Sequence, residues 1–276
     1  MTRIALYQAN SGIDPEANAR ALVSAVQEAA AGGAAILFTP EMSGLLDRDR
    51  ARAAPKLRRE TEDPVLAKVR AAAAEAGIWV HLGSLAIRAE EGEQLHNRGF
   101  VIDADGAIRA RYDKMHLFDV DLATGESWRE SALYEPGERA VVADTPVGPL
   151  GLSVCYDLRF PDLYRALTDA GARILSIPAA FTVPTGEAHW HVLMRARAIE
   201  AGVFVVAAAQ SGRHEDGRET YGHSLVVGPW GDVLLDMGAG KGVGFAEIDL
   251  GEVDAVRARL PAIRHRRAIP PTDRAP

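Results

Sequence analysis

Apolar runs of strand length alternate with stretches of helical period along almost the whole chain, a pattern that fits an α/β layered fold and neither an all-β nor an all-α one. The apolar runs fall at 3–9, 34–39, 78–87, 97–104, 107–113, 140–145, 148–154, 172–180, 203–210, 223–229, 232–237 and 243–249. Helical stretches fill the gaps, most clearly at 14–31, 62–76, 161–170, 187–201 and 250–260. The first is expected to start with Asp14 as N-cap and Pro15 in its first turn, and to stop at Gly32-Gly33.

Two hairpins punctuate the pattern: FVIDADGAIRARY turns at Asp105-Gly106 and LVVGPWGDVLL turns at Pro229-Trp230-Gly231. Each follows a strand–helix–strand run, so the chain reads as two similar halves with the break at about 115–140. Two packed sheets flanked by helices fit that reading better than one open sheet. The 115–140 segment is long and irregular, and loops of that length inside a compact fold are usually functional. Residues 1–260 are expected to form a single domain, and 261–276, with four prolines and no period, an extended tail that is either disordered or laid along a partner.

Composition removes several classes of function. A formal charge of −7, from 38 acidic and 31 basic residues, with no basic block longer than RHRR at 264–267, argues against nucleic acid as a partner. The longest apolar stretch, VFVVAAA at 203–209, is far short of the roughly 18–20 residues that cross a bilayer, so no membrane association is expected. The N-terminus MTRIALYQAN turns polar too soon for a secretory signal, which makes a cytoplasmic location the expectation. The single cysteine, Cys155, cannot form an internal disulfide and excludes any metal site that needs two thiolates.

Three polar residues follow buried-looking strands: Glu41 after AAILFTP, Lys114 after AIRARYD and Cys155 after GPLGLSV. Side chains at the carboxyl ends of parallel strands converge on one crevice, so the three can meet although far apart in sequence. A catalytic thiol needs a base or a nearby cation to become a thiolate. Glu41 can take the proton, Lys114 can stabilise negative charge, and the Tyr156 N–H is placed to be an oxyanion donor beside it. Each residue also has a plain structural reading: a packing cysteine, an ordinary carboxylate at a strand end, a loop lysine. The residues alone leave both readings open.

Three ordered motifs, TPEMSG at 39–44, YDKMHLFDVD at 112–121 and GLSVCYDLRFPDLYR at 151–165, resemble the signature of the nitrilase superfamily of carbon–nitrogen hydrolases. The similarity continues through 179–214 and 221–234 and so covers nearly the whole chain. The resemblance implies a four-layer α-β-β-α sandwich of two mixed β-sheets with helices on both outer faces. It implies Glu41 as general base, Lys114 as oxyanion lysine and Cys155 as nucleophile. The superfamily's auxiliary glutamate aligns with Glu130, with Glu126 a near competitor.

HWHVLMRARAIE at 189–200, AAAQSGRH at 207–214 and YGHS at 221–224 are similar to the Nit branch, and within it closer to deaminated-glutathione amidases than to ω-amidases. Both hydrolyse amides of 2-oxo acids, so a cation is expected for the substrate carboxylate. Arg159 is the candidate, against the alternative of a structural salt bridge, and Phe181 and Thr185 are expected to line the acyl pocket. Deaminated glutathione is the expected substrate, with 2-oxoglutaramate, N-carbamyl amino acids and nitriles as alternatives. Enzymes of this kind use no cofactor, act on small-molecule linear amides and commonly form homodimers.

Other classes fit less well. A metallohydrolase could draw on HWH at 189–191 or HLFDVD at 116–121, but His189 and His191 on one helix point about 200° apart, and HLFDVD reads as a site-shaping loop. No metal site is expected. A serine hydrolase would need a G-x-S-x-G elbow, which the sequence lacks. Intact Glu41, Lys114 and Cys155 argue against a non-enzymatic interaction subunit.

Overall fold

The structure, a computed structural model, describes residues 1–121, 125 and 127–274. Its first sheet is assembled from β1 (Thr2–Gln8), β2 (Ile36–Phe38), β3 (Arg58–Arg59), β4 (Trp79–Arg88), β5 (Leu95–Ile102) and β6 (Ile108–Asp113). A ribbon of β7 (Asp119–Asp121) and β8 (Ser127–Arg129) precedes the second sheet, which takes β9 (Val142–Thr145), β10 (Gly148–Leu152), β11 (Ile174–Ser176) and β12 (Phe204–Ala207). After another ribbon, β13 (Ser211–Arg213) with β14 (Glu219–Tyr221), the second sheet gains β15 (Leu225–Val227) and β16 (Val233–Asp236), and β17 (Gly242–Ile248) returns to the first. The helices are α1 (Pro15–Ala31), α2 (Arg50–Ala53), α3 (Pro64–Ala76), α4 (Pro161–Asp169), α5 (Val183–Ala201) and α6 (Leu250–Arg259).

Strand order is β17-β1-β2-β4-β5-β6 in the first sheet, with β3 beside β4, and β16-β15-β12-β11-β10-β9 in the second. Each sheet has three parallel strands at its centre (β1, β2 and β4; β10, β11 and β12), a hairpin on one side (β5–β6; β15–β16) and an antiparallel strand on the other (β17; β9). The two halves read from the sequence therefore share one topology, and each apolar run holds a strand.

Side-chain alternation makes the layers. In β1, Ile4 and Leu6 join the core that contains the second sheet, while Ala5 between them packs with α1 and α3; in β2, Ile36 and Phe38 face one way and Leu37 the other. On the opposite outer face, α4 and α5 bury Leu163, Tyr164, Leu167, Trp190 and Met194. This is the expected α-β-β-α sandwich with two mixed sheets. A polar contact also crosses between the sheets: His81 Nδ1 of β4 lies 3.1 Å from Ser176 Oγ of β11.

Local chemistry sets the helix ends. Asp14 caps α1 by accepting from the Glu16 N–H, with Pro15 at the first position, and Asp63 caps α3 by accepting from the Leu66 N–H at 2.8 Å. Helix α5 begins at Val183, four residues earlier than its periodicity predicts. Pro184 is tolerated there because a first-turn residue has no intrahelical N–H bond to lose. Gly186 is accommodated because the Tyr221 ring occupies the place of its Cβ, 2.2 Å away. At the other end of the chain a 3₁₀ turn, Ala262–His265, follows α6; Arg266 then pairs with Asp169, and residues 267–274 are exposed and without regular structure. Among the described residues, no helix is long and apolar enough to cross a membrane.

Candidate active site

Glu41 and Cys155 each stand just beyond a central strand and Lys114 just beyond the edge strand β6, and each is held by a specific backbone device. Beyond β2, the turn at Glu41 is clamped by a bulge in β4: the Met42 N–H donates to Ser84 Oγ at 3.0 Å and the Ser43 N–H to the Ser84 carbonyl at 3.0 Å. Gly83 makes the approach possible, since a Cβ there would lie 2.1 Å from the Thr39 carbonyl oxygen. Lys114 ends β6, its N–H donating to the Asn97 carbonyl at 2.9 Å.

Cys155 opens a 3₁₀ turn, Cys155–Arg159, at φ +49°, in the left-handed region. Asp157 pins that turn. Its fully buried carboxylate accepts from the Val154 N–H (2.8 Å), the His116 N–H (3.0 Å) and the Tyr112 hydroxyl (2.7 Å), and lies 2.6 Å from His116 Nδ1. The Cys155 N–H donates to the Pro178 carbonyl at 2.9 Å. Among the described residues no acceptor is bonded to the Tyr156 N–H, which leaves it for a ligand. Met42, beside Glu41, also has positive φ (+55°); strain of this kind persists where the surroundings over-determine the backbone, as at functional sites.

The three side chains meet. Lys114 Nζ donates to Glu41 Oε1 at 2.9 Å and to Glu130 Oε2 at 2.9 Å and Oε1 at 3.2 Å, and Cys155 lines the same cavity, where the charges of Glu41 and Lys114 both act on its thiol. Glu41 Oε2 accepts from the Ala180 N–H at 2.9 Å, and Glu130 Oε2 from the Phe118 N–H at 2.7 Å. Asn97 ties the two acids together, its Nδ2 donating to Glu41 Oε1 (2.9 Å) and Glu130 Oε1 (3.0 Å). Glu130 thus stands beside Lys114, whereas Glu126 lies outside the described residues.

The electrostatics assign protonation states. Burial pushes the Glu41 carboxyl up, but the Lys114 charge and hydrogen bonds from Lys114, Cys155 and Asn97 outweigh it and hold the group below the usual carboxylate range. Burial likewise pushes Lys114 down, and Glu130 and Glu41 overcome it to hold the ammonium well above its ordinary value. Burial and the negative charge of Glu41 push the Cys155 thiol up, with Lys114 offsetting part of the rise. At neutral pH the resting site is a neutral thiol against an ionised carboxylate, with an ammonium alongside. Such a set can pass the thiol proton to Glu41 and present two donors, Lys114 Nζ and the Tyr156 N–H, to a developing oxyanion.

These groups form the floor of a cavity of about 600 Å³. Arg159, Phe181 and Thr185, all expected around the substrate, line it. Among the described residues Arg159 forms no salt bridge: its guanidinium lies over the rings of Tyr156 (5.9 Å) and Phe181 (5.5 Å), and its Nη2 is 3.3 Å from His189 Nδ1. Sequence reasoning missed Asn97, Asp157 and the four other arginines at the cavity, Arg48, Arg50, Arg129 and Arg218. Asn97 carried no signal that could have found it, since it opens its strand run between His96 and Arg98. Among the described residues, Arg48, Arg50 and Arg159 have no carboxylate at ion-pair distance, while Arg129 and Arg218 are paired with Asp121 and Asp216. HLFDVD does shape the site: His116 holds Asp157 and Phe118 lines the cavity.

Comparison with known proteins places the chain's sequence and fold. The profile of the family described as carbon-nitrogen hydrolase matches residues 3–258. The deaminated glutathione amidase of Yersinia enterocolitica is 38% identical over 268 residues, covering 96% of this chain and 93% of that one. Among solved structures, the NitFhit protein of C. elegans superposes with a TM-score of 0.89 at 39% identity; the match covers 96% of this chain and spans 65% of that one. A variant of the amidase from Nesterenkonia sp. AN1, carrying the acetamide moiety of fluoroacetamide added covalently at its active site cysteine, has a TM-score of 0.81 at 27% identity, covering 96% of this chain and 94% of that one. Matched almost end to end in sequence and in fold, this chain belongs to the carbon–nitrogen hydrolase family.

Proposed function

We propose that the protein is a cysteine amidase that hydrolyses the C–N bond of a small, anionic 2-oxo-acid amide, deaminated glutathione foremost, through a thioester acyl-enzyme. One observation carries the reading: Glu41, bonded to Lys114, shares with Cys155 a cavity that also holds three arginines with no acidic partner among the described residues. In the first step Glu41 takes the thiol proton as sulfur attacks the amide carbon, and Lys114 and the Tyr156 N–H hold the oxyanion. Glu41 then gives that proton to the departing amine or ammonia as the C–N bond breaks. Water, deprotonated by the same carboxylate, attacks the thioester; the C–S bond breaks to release the acid, and Glu41 returns the proton to the Cys155 thiolate. Glu130 is a positioning residue, since it engages Lys114 with both oxygens.

The substrate reading rests on charge. A carboxylate entering the cavity meets Arg159 and, nearer the rim, the exposed Arg48 and Arg50. The test is amine or ammonia release from deaminated glutathione, 2-oxoglutaramate, an N-carbamyl amino acid and a simple nitrile, together with mass spectrometry of the protein quenched with a slow substrate. Highest turnover on deaminated glutathione and an acyl mass on Cys155 are expected; preference for the nitrile or the carbamyl compound, or an adduct elsewhere, would refute the reading. Arg159→Ala should raise KM for the anionic amide by roughly tenfold or more, the loss of one charge-assisted hydrogen bond, while leaving a neutral amide unaffected. The homodimer reading is supported only by exposed large apolar residues, Val192 and Ile199 of α5 and Trp230, Val233 and Leu234 of the β15–β16 hairpin, and light scattering reads it directly.

A further inference from the structure

We propose that His191, His223 and Asp236 form a binding site for a divalent first-row transition ion, zinc foremost, apart from the catalytic cavity. None of the three lines that cavity. They come from three places in the fold: the middle of α5, the turn that enters β15, and the last residue of β16. One ligand atom from each, a ring nitrogen from either histidine and a carboxylate oxygen, lies within 4.8 Å of the others. His191 Nε2 is 2.9 Å from Asp236 Oδ2, and His223 Nδ1 is 2.8 Å from Oδ1 and 3.1 Å from Oδ2.

Zinc bonds of about 2.0–2.2 Å in a tetrahedron put ligand atoms roughly 3.3–3.5 Å apart, so small side-chain rotations close the set on an ion. Two imidazoles and one carboxylate select a borderline ion over calcium or magnesium, which take oxygen ligands, and partial exposure of all three residues leaves the remaining positions to water. In the ion-free state each imidazole can donate an N–H to Asp236. On binding, that proton passes to the other ring nitrogen, and the lone pair it frees turns to the ion.

The site is held in place before any ion arrives. Among the described residues, three non-glycines have positive φ: Met42 and Cys155 at the catalytic floor, and His223 (φ +54°). The His223 backbone is fastened on both sides, its N–H donating to the Gly238 carbonyl at 2.7 Å and its carbonyl accepting from Trp190 Nε1 at 2.8 Å. Its ring is oriented by Tyr221, stacked at 4.4 Å and 22°. Asp236 is fixed in turn by the Gly238 N–H, 2.9 Å from Oδ1. An ion held here would tie α5, whose first turn carries Thr185 into the cavity, to the β15–β16 hairpin.

The experiment is calorimetric titration of zinc into chelator-treated protein carrying Cys155→Ala, which removes the competing thiol. Cobalt absorption follows as a readout of coordination, and circular dichroism as a check of folding. One equivalent should bind and raise the thermal midpoint. His191→Ala, Asp236→Asn and His223→Asn, the last chosen because asparagine tolerates left-handed backbone, should each weaken binding by roughly 100-fold and abolish the thermal gain. No binding in the parent protein, or binding unchanged in His191→Ala and Asp236→Asn, would overturn the assignment.

Discussion

Replacing Asn97 with leucine tests how the site keeps Glu41 ionised. The substitution conserves bulk and sacrifices no acceptor in use, since Asn97 Oδ1 has no partner among the described residues. What it removes is the amide's pair of hydrogen bonds to Glu41 Oε1 and Glu130 Oε1. Glu130 keeps Lys114 and the Phe118 N–H, and Glu41 keeps Lys114 and the Ala180 N–H, so the lysine stays in place. A hydrogen bond to an ionised group contributes about 1.5–3 kcal/mol, and 1.36 kcal/mol corresponds to one pKa unit, so losing the donor to Glu41 should raise its pKa by about 1–2 units. Protonated Glu41 cannot accept the thiol proton, so activity is lost as pH falls through that pKa. The acid limb of the kcat/KM profile should therefore move to higher pH by about 1–2 units, with activity recovering above it. Hydrolysis of an amide with no ionisation of its own across the range, measured from acid to neutral pH, reads the limb. If Asn97→Leu lowered activity equally at every pH with the limb unmoved, the inference that this amide helps Lys114 hold Glu41 ionised would be wrong.

Two further substitutions probe the scaffold. Gly83→Ala places a Cβ 2.1 Å from the Thr39 carbonyl and 2.6 Å from that of Pro40, forcing the Glu41 turn outward; turnover should fall by roughly 100-fold, with a loss of about 1–3 kcal/mol in denaturant unfolding. Wild-type turnover in Gly83→Ala would show that the β4 bulge does not position Glu41. His81, fully buried between the sheets, is pushed by burial down to about 3, so below about pH 6.5 the unfolded chain binds a proton that the folded one refuses. Stability should fall by up to about 1.4 kcal/mol per pH unit from that point down to about pH 3, and His81→Gln, which can still reach Ser176, should remove this part of the slope in unfolding free energy measured against pH. An identical slope in the two proteins would sink the assignment.

What was legible in the sequence and what was not divide along a physical line. Glu41, Lys114 and Cys155 could be named as candidates because each follows an apolar run and strand ends can converge, but the residues left a plain structural reading open, and the resemblance to the nitrilase superfamily supplied their expected roles. Asn97 could not, because its value depends on register: β4 pairs Ala86 with it and β6 pairs Asp113 with the neighbouring Arg98, and a slip of one residue would turn its side chain to the other face of the sheet. Asp157 reads as one more charged residue after the cysteine until Tyr112 and His116, from the other sheet's end, converge on it. Arg48 and Arg50 sit beyond the Glu41 turn, where only the folded loop shows that they face the cavity. The histidines of HWH make the same point from the opposite direction. Helix geometry correctly separates them: His189 lies beside Arg159 and His191 beside Asp236. Yet that argument concerns only neighbours in sequence, and the partners His191 gained come from a turn and a strand end that no helical period could have named. Pairwise spacing can thus rule out a local metal motif, while a site assembled from three elements becomes visible only once the sheet has fixed where each of them ends.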